Sequence, residues 1–428
     1  MESNSALWAR LQAAVPRGVN VALPVFAATG DNAEIRDVEG RRYIDFAGGI
    51  GVLNIGHRHP RVLAAVERQL QALTHACFQV TPYETYVRLA ERLNELAPGS
   101  LPKKTIFLTT GAEAIENAIK IARHATGRPG IIAFGGGFHG RTLMALAATG
   151  KMNPYKVGFG PFPAEVYHVP FPSEYHGQTS AASLAAIEEL FHSSISADRV
   201  AAILIEPVQG EGGFNAAPGD FLRALRELCD RHGILMIADE VQSGFGRTGR
   251  MYAIEHAGVV PDLITLAKSL AGGFPLSAVT GRADIMDSVA PGGLGGTYAG
   301  NPVACAAALA VLEVMAEEDI IGRSIKLGAR VRAKMLAMSR DPRFTCIGDI
   351  RGIGAMLAIE LVRNPATREP ATELARKVVL NAAELGLIIL TCGHHANVLR
   401  VLVPLTASLE LVDEGMSILE RALERALS

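Results

Sequence analysis

The residues best equipped for chemistry in this chain stand just beyond short apolar runs. Lys268 follows the run 263–267 and precedes Gly272 and Gly273. A lysine so placed is partly desolvated, which disfavours its ammonium form, and a neutral amine can form an imine with a carbonyl and later move a proton. Asp239 ends the run Ile-Leu-Met-Ile-Ala. A carboxylate there could keep a pyridine nitrogen protonated, so that the ring withdraws electrons from a carbanion. Gly111 and Ala112 open a helical segment after Leu108, where free backbone amides and the helix dipole favour a phosphate. Taken singly, each feature has a commoner use. Lys268 alone is a solvated strand end, Asp239 with Glu240 an acidic loop, and Thr-Gly-Ala-Glu a helix cap.

Position changes that balance. Apolar, β-rich runs at 105–108, 131–134, 200–205, 234–238 and 263–267 alternate with helical stretches, the pattern of an α/β fold with a mostly parallel sheet. After the first run, Ile115, Ala118, Ile119 and Ala122 recur at the spacing of an amphipathic helix. Gly111, His139, Glu206, Asp239 and Lys268 each follow one of the five runs, and ligands of open parallel sheets bind at those carboxyl ends. Alternating runs at 33–37 and 42–46 predict a small antiparallel piece, and the chain changes character again after Ile320, with a charged helix at 324–339, a strand at 355–361 and a helix from Ser408. The expected organisation is a large domain over 57–320 and a smaller one built from 1–56 and 321–428. No internal repeat, low-complexity segment or flexible linker stands out.

Composition narrows the class. The 428 residues carry 41 basic and 43 acidic side chains, a formal net charge of -2, so no global field would gather nucleic acid or an anionic membrane. Five scattered cysteines form no close pair, which argues against a disulfide framework or a zinc site and fits a reducing, cytoplasmic setting. The first 28 residues lack a basic leader ahead of an apolar run. The longest apolar run, 303–312, is too short to span a bilayer and is Ala-rich, as a buried helix would be. His394 and His395 in a turn lack a third ligand at metal spacing, and His57 and His59 read as loop residues. Gly244, Gly246 and Gly249, with Asp262 beyond, match the GxGxxG spacing of an NAD(P)-dependent oxidoreductase. Their context is poor, because Asp-Glu-Val-Gln-Ser separates them from the preceding strand.

The blocks DFAGGIGVLNIGHRHP, TTGAEAIENAIKIAR, GFHGRT, IEPVQGEGGF, IADEVQSGFGRTG, LAKSLAGGFPL, GGTYAGNP and VLRVLVPL together resemble the fold-type I, class III aminotransferases over nearly the whole chain, and among them most of all the 4-aminobutyrate aminotransferases. The resemblance implies a seven-stranded, mostly parallel sheet in the large domain and pyridoxal 5′-phosphate (PLP) as cofactor. By the family pattern Lys268 would bind the cofactor as an imine and Asp239 would hold its ring nitrogen. Val241 would pack under the ring, Gln242 would lie near its phenolic oxygen, Phe138 would stack on the opposite face, and His139 would also contact the cofactor. Gly111 and Ala112 would bind the phosphate, with Thr297 reaching over from a second subunit, which implies a homodimer or a dimer of dimers. Relatives commonly have Ser at Ala112 and Tyr at Phe138; the first change removes a hydroxyl donor but keeps the amide, and the second keeps stacking without the hydroxyl.

The same resemblance addresses substrates, a small amino donor and a 2-oxo acid acceptor. Arg141 would take the distal carboxylate common to 4-aminobutyrate and glutamate, and Arg400 the α-carboxylate that only glutamate has. Left unpaired, Arg400 would favour α-amino acids alone. Glu211 would neutralise it for the ω-amino acid and swing away for glutamate. Ile50, Gln79 and Glu206 are the matching pocket residues. The implied reaction is ping-pong transfer from 4-aminobutyrate to 2-oxoglutarate, giving succinate semialdehyde and glutamate. One methylene is worth only about 1–3 kcal/mol of discrimination, so 5-aminovalerate or an ornithine-type donor is the alternative.

Overall fold

The most apolar segments of the sequence form the central sheet of a computed structural model that describes residues 2–428. Its seven strands are β1 (Lys103–Leu108), β2 (Gly130–Phe134), β3 (Val166–Val169), β4 (Val200–Ile205), β5 (Leu235–Asp239), β6 (Leu263–Leu266) and β7 (Ser277–Arg282). They lie in the order β1-β7-β6-β5-β4-β2-β3. Neighbours run parallel except at β7, which is antiparallel to both β6 and β1. Every residue of β2 and β4 is buried, the continuous apolar run that a strand covered on both faces needs. Helix α1 (Gly111–Thr126) covers one face, setting Ile115, Ala118, Ile119 and Ala122 against Leu204, Ile237, Leu263 and Val279.

The five strands expected from the sequence are all present. The two additional ones carry weak signals: β3 is a four-residue edge strand, Val-Tyr-His-Val, and β7 interrupts its apolar pattern with Thr280 and Gly281. Near the amino terminus, Ala27–Asp31, Glu34–Asp37 and Arg42–Asp45 form antiparallel pairs, and Leu387–Ile388 joins Arg42–Asp45 in parallel. The two ends of the chain therefore share one sheet. A further sheet pairs Met356–Asn364 with Ile347–Ile353 and with Val398–Val401, which also pairs Leu390–Cys392. The Ala-rich run lies in the buried helix Pro302–Glu317. Among the described residues, no helix is long and apolar enough to cross a membrane.

Gly244, Gly246 and Gly249 fall in a turn-rich loop after β5, not at a strand-to-helix turn. Gly246 (φ 82) and Gly249 (φ 86) take left-handed backbone, so glycine is required there for the turn itself. Asp262, the acidic partner of a dinucleotide reading, is occupied by Arg226 at 2.7 Å and Arg282 at 3.0 Å. The dinucleotide pattern is thus a consequence of loop geometry.

The long helix Ile320–Arg340 is seated against the chain near Gly354 through Gly328, where an added Cβ would collide with the Gly354 carbonyl. Backbone cannot turn aside as a side chain can. Gly328→Ala should therefore cost about 1–3 kcal/mol by overpacking, measured as a lower urea midpoint; an unchanged midpoint would mean that the helix can shift.

Candidate active site

Strand ends of the central sheet open onto a cavity of about 360 Å³. Thr109, Thr110, Gly111 and Ala112 enter from β1, Phe138, His139 and Gly140 from β2, Glu206 and Glu211 from β4, Asp239, Val241 and Gln242 from β5, and Ala267 and Lys268 from β6. This is the crevice at the carboxyl ends where parallel sheets bind ligands. A cavity of about 450 Å³ lies at the opposite strand ends, around Lys103, Arg226 and Asp262, and contains none of the expected site residues.

Asp239 is fixed from three directions. One oxygen pairs with His139 Nδ1 at 2.7 Å, and the other accepts from the Thr265 hydroxyl and the Val241 amide, each at 3.1 Å. Burial by itself would lower the His139 pKa, but the bond to Asp239 and its charge outweigh that and raise it. Glu206 accepts from the amides of Phe138 at 3.0 Å and Gly210 at 3.1 Å. Burial nevertheless pushes its pKa up, and the neighbouring Asp239 adds to the effect. Lys268 lies on the cavity wall, and burial pulls its ammonium below the ordinary lysine range. Its backbone is left-handed (φ 43), a strained conformation of the kind that collects at functional sites.

Arg400, on the strand Val398–Val401, is 5% exposed and donates from Nη1 to Glu211 at 2.5 Å. Burial opposes both charges, yet each group stabilises the other: Glu211 is held below the carboxylate range and Arg400 above the usual guanidinium value. The Tyr155 hydroxyl also donates to Glu211, at 3.3 Å, and Arg141 lies 4.9 Å from the centre of the Tyr155 ring. The expected residues thus divide into two groups. Gly111, Ala112, Phe138, His139, Val241, Gln242, Glu206, Glu211, Asp239 and Lys268 line the cavity, and Arg400 is joined to it through Glu211. Arg141, Ile50, Gln79 and Thr297 are exposed and do not line it. Gln79 donates to the Leu294 carbonyl at 2.9 Å.

Sequence reasoning missed Tyr155 and Thr265. A threonine inside the apolar run Leu-Ile-Thr-Leu was a usable signal for the second, whereas Tyr155 lies in an irregular segment with no periodicity to mark it.

The residues present fit a phosphate-bearing pyridine aldehyde. A capping box ties Thr110 and Glu113 together at the start of α1, and Gly111 and Ala112, whose amides have no intrahelical acceptor at a helix start, line the cavity. Gln242 Oε1 is buried without a hydrogen-bond partner. An attachment amine, a fixed carboxylate and an anion-binding helix end therefore meet in one cavity.

Glu240, next to Asp239, faces away into the core. It accepts from Ser243 at 2.5 Å and from the Ile254 amide at 2.7 Å, and burial pushes its pKa up to about 7. Its protonated form is therefore favoured in the folded chain. The stability this contributes is complete below the unfolded value of about 4.3 and is lost as pH rises through about 7. At about 1.4 kcal/mol per pKa unit, with the unfolded carboxyl already mostly ionised at pH 5, Glu240→Gln should gain about 2 kcal/mol on the parent between pH 5 and 7. Thermal or urea midpoints at both pH values check this, and a constant difference would refute it.

Comparison with known proteins extends the likeness over the whole chain. Residues 14–423 match the family model described as aminotransferase class-III. A 5-aminovalerate aminotransferase, DavT, of Pseudomonas putida is 53% identical over 98% of each chain. The 4-aminobutyrate aminotransferase GabT of Escherichia coli is 52% identical over 100% of each. The structure of an amine transaminase from an uncultivated Pseudomonas species, solved in its PLP-bound form, superposes with a TM-score of 0.87 at 32% identity, covering 97% of both chains. The fold, the strand-end crevice and these similarities agree: the chain belongs to the class III aminotransferases, which are PLP-dependent enzymes.

Proposed function

We propose that the chain transfers the amino group of 4-aminobutyrate to 2-oxoglutarate in two half-reactions at one site, giving succinate semialdehyde and then glutamate. The observation that carries this reading is the buried Arg400–Glu211 pair, whose carboxylate lines the cavity beside Lys268. An enzyme for α-amino acids alone would need only the arginine. A covered arginine serves a donor that brings no carboxylate to the reacting carbon, and uncovering it serves glutamate.

PLP, when bound, supplies the electron sink at the donor's amine-bearing carbon. Lys268 attaches the cofactor and, with its lowered pKa, moves the proton at that carbon. Asp239, held by His139 and Thr265, would hold the ring nitrogen of the bound cofactor and its proton. Gly111 and Ala112 would hold the phosphate, Val241 and Phe138 would hold the ring, His139 orients Asp239, and Gln242 would offer its free oxygen. Arg141, which makes no ion pair among the described residues, takes the carboxylate distal to the reacting centre. Ile50, Gln79 and Glu206 shape the substrate pocket.

Thr297 is exposed, and it completes the phosphate site from a neighbouring copy in a homodimer or a dimer of dimers. Residues 57–320 form the cofactor-holding domain, with 1–56 and 321–428 as the smaller one. Five free cysteines suit a reducing, cytoplasmic setting.

The 53% identity to a 5-aminovalerate aminotransferase supports a second reading with the same chemistry and a donor one methylene longer. A screen with 2-oxoglutarate and ω-amino acids of graded length, measuring glutamate formed, decides between them: the highest kcat/KM is expected with 4-aminobutyrate, and a maximum at 5-aminovalerate selects the alternative. Lys268→Ala should lower turnover by at least about 10²–10⁴-fold. Parental turnover in that variant would refute the mechanism. Glu211→Ser should slow the 4-aminobutyrate half-reaction about tenfold or more relative to the glutamate half, because a buried cation left unpaired costs several kcal/mol; equal losses would remove Glu211 from this role.

A further inference from the structure

A carboxylate that leaves its arginine must go somewhere. Glu211 lies between Gly210 and Gly212, where an added Cβ would collide with Gln242 and Gln209, so the backbone is closely packed and the movement falls to the Glu211 side chain. Arg400 engages it through Nη1 alone, and Arg400 Nε is buried without a partner. The second oxygen of Glu211 already accepts from Tyr155 at 3.3 Å. Releasing Arg400 would still strand a negative charge inside the protein unless another cation received it.

Lys151 is such a cation, and nothing else in the site uses it. Its ammonium is partly buried, forms no ion pair among the described residues, and donates to a neutral group, the Gly393 carbonyl, at 2.7 Å. It lies 5.9 Å from the centre of the Tyr155 ring, the ring whose hydroxyl holds Glu211. The Gly393 amide in turn donates to the Glu211 carbonyl at 2.9 Å. Two residues therefore touch both Glu211 and Lys151. Burial lowers the Lys151 pKa, and the Glu211 charge is the leading influence against that fall.

We propose that Lys151 is the second counter-ion of Glu211: when a substrate α-carboxylate takes Arg400, Glu211 turns toward Tyr155 and Lys151, and the ammonium exchanges the Gly393 carbonyl for the carboxylate. Lys151 is then a positioning residue that determines dual specificity, acting through Glu211 without touching substrate. The inference rests on the gate reading above. It requires the half-reaction with glutamate, in which Glu211 is displaced, to depend on Lys151 more than the half-reaction with 4-aminobutyrate does.

Single-turnover measurements on the PLP-loaded enzyme, following cofactor absorbance with each donor separately, give the ratio of the two rate constants. Lys151→Met should move that ratio against glutamate by about tenfold, the equivalent of roughly 1.4 kcal/mol, and Lys151→Arg should restore it. Lys151→Gln serves the same comparison if the Met variant does not fold. Glu211→Gln should move the ratio the other way. If Glu211→Gln shifts the ratio and neither uncharged Lys151 variant does, Lys151 is not the counter-ion while the gate stands. If Glu211→Gln leaves the ratio unchanged, the gate reading fails and this inference falls with it.

Discussion

Charge taken out of water must be answered by charge or by hydrogen bonds, and the carboxyl edge of the central sheet gathers several ionisable groups into one crevice. Lys268, Arg400 and His139 stand there with Glu211, Glu206 and Asp239. The matching is local as well as approximate in number. His139 is raised because Asp239 is bonded to it, and Glu211 is lowered because Arg400 is. Glu206, near Asp239 and given only amides to accept from, is pushed toward its neutral form. The crevice thus gives Glu211 and Asp239 dedicated partners and disfavours the charge of Glu206, which accepts only from amides.

That arrangement depends on where strands end. β5 delivers Asp239 as its last residue, and β1, β2, β4 and β6 deliver theirs within five residues of the strand end, where the backbone ladder no longer claims the amides. The same strands are apolar along their length, so the free energy that holds the sheet together comes from residues that do no chemistry. Arg400 is different. It comes from the strand Val398–Val401, late in the chain, and its partner Glu211 comes from the loop after β4. The specificity pair is therefore made across elements with no shared local pattern.

This difference explains what could be read from sequence. Lys268, Asp239 and Gly111 are marked by apolar runs that stop abruptly, and a run of that kind specifies both a buried strand and the exit point of its chain. The cofactor end of the site was legible for that reason. Arg400 and Glu211 were identified through family resemblance, since an arginine between Leu399 and Val401 looks like any buried structural cation. Tyr155 and Lys151 lie in an irregular segment whose conformation is set by what surrounds it, and no period in the sequence reports that. The edge strand β3 and the antiparallel β7 escaped notice for a related reason: one is short, and the other is stabilised by its two neighbours more than by its own composition. The glycines at 244, 246 and 249 gave a false scent because left-handed turns and phosphate loops place the same demand on the backbone.

The register between the two halves of the site rests on a residue far less conspicuous in the sequence. Arg247, fully buried, donates to Asn54 Oδ1 at 3.0 Å and to the Val403 carbonyl at 2.8 Å, and its own carbonyl accepts from the Ala355 amide at 3.1 Å. Asn54 in turn donates to the Phe245 carbonyl and, through its backbone oxygen, accepts from Leu405, each at 2.8 Å. One guanidinium therefore ties the loop that follows Asp239 to the early segment at Asn54 and to the chain just past Arg400. Burial pulls Arg247 down only to about 9, so it remains a cation at neutral pH, satisfied by oxygen dipoles instead of a carboxylate. A carboxylate at this joint would have added another negative group near a crevice that already disfavours one of its own. Neutral acceptors hold the two halves in register without adding a carboxylate beside the Arg400–Glu211 pair.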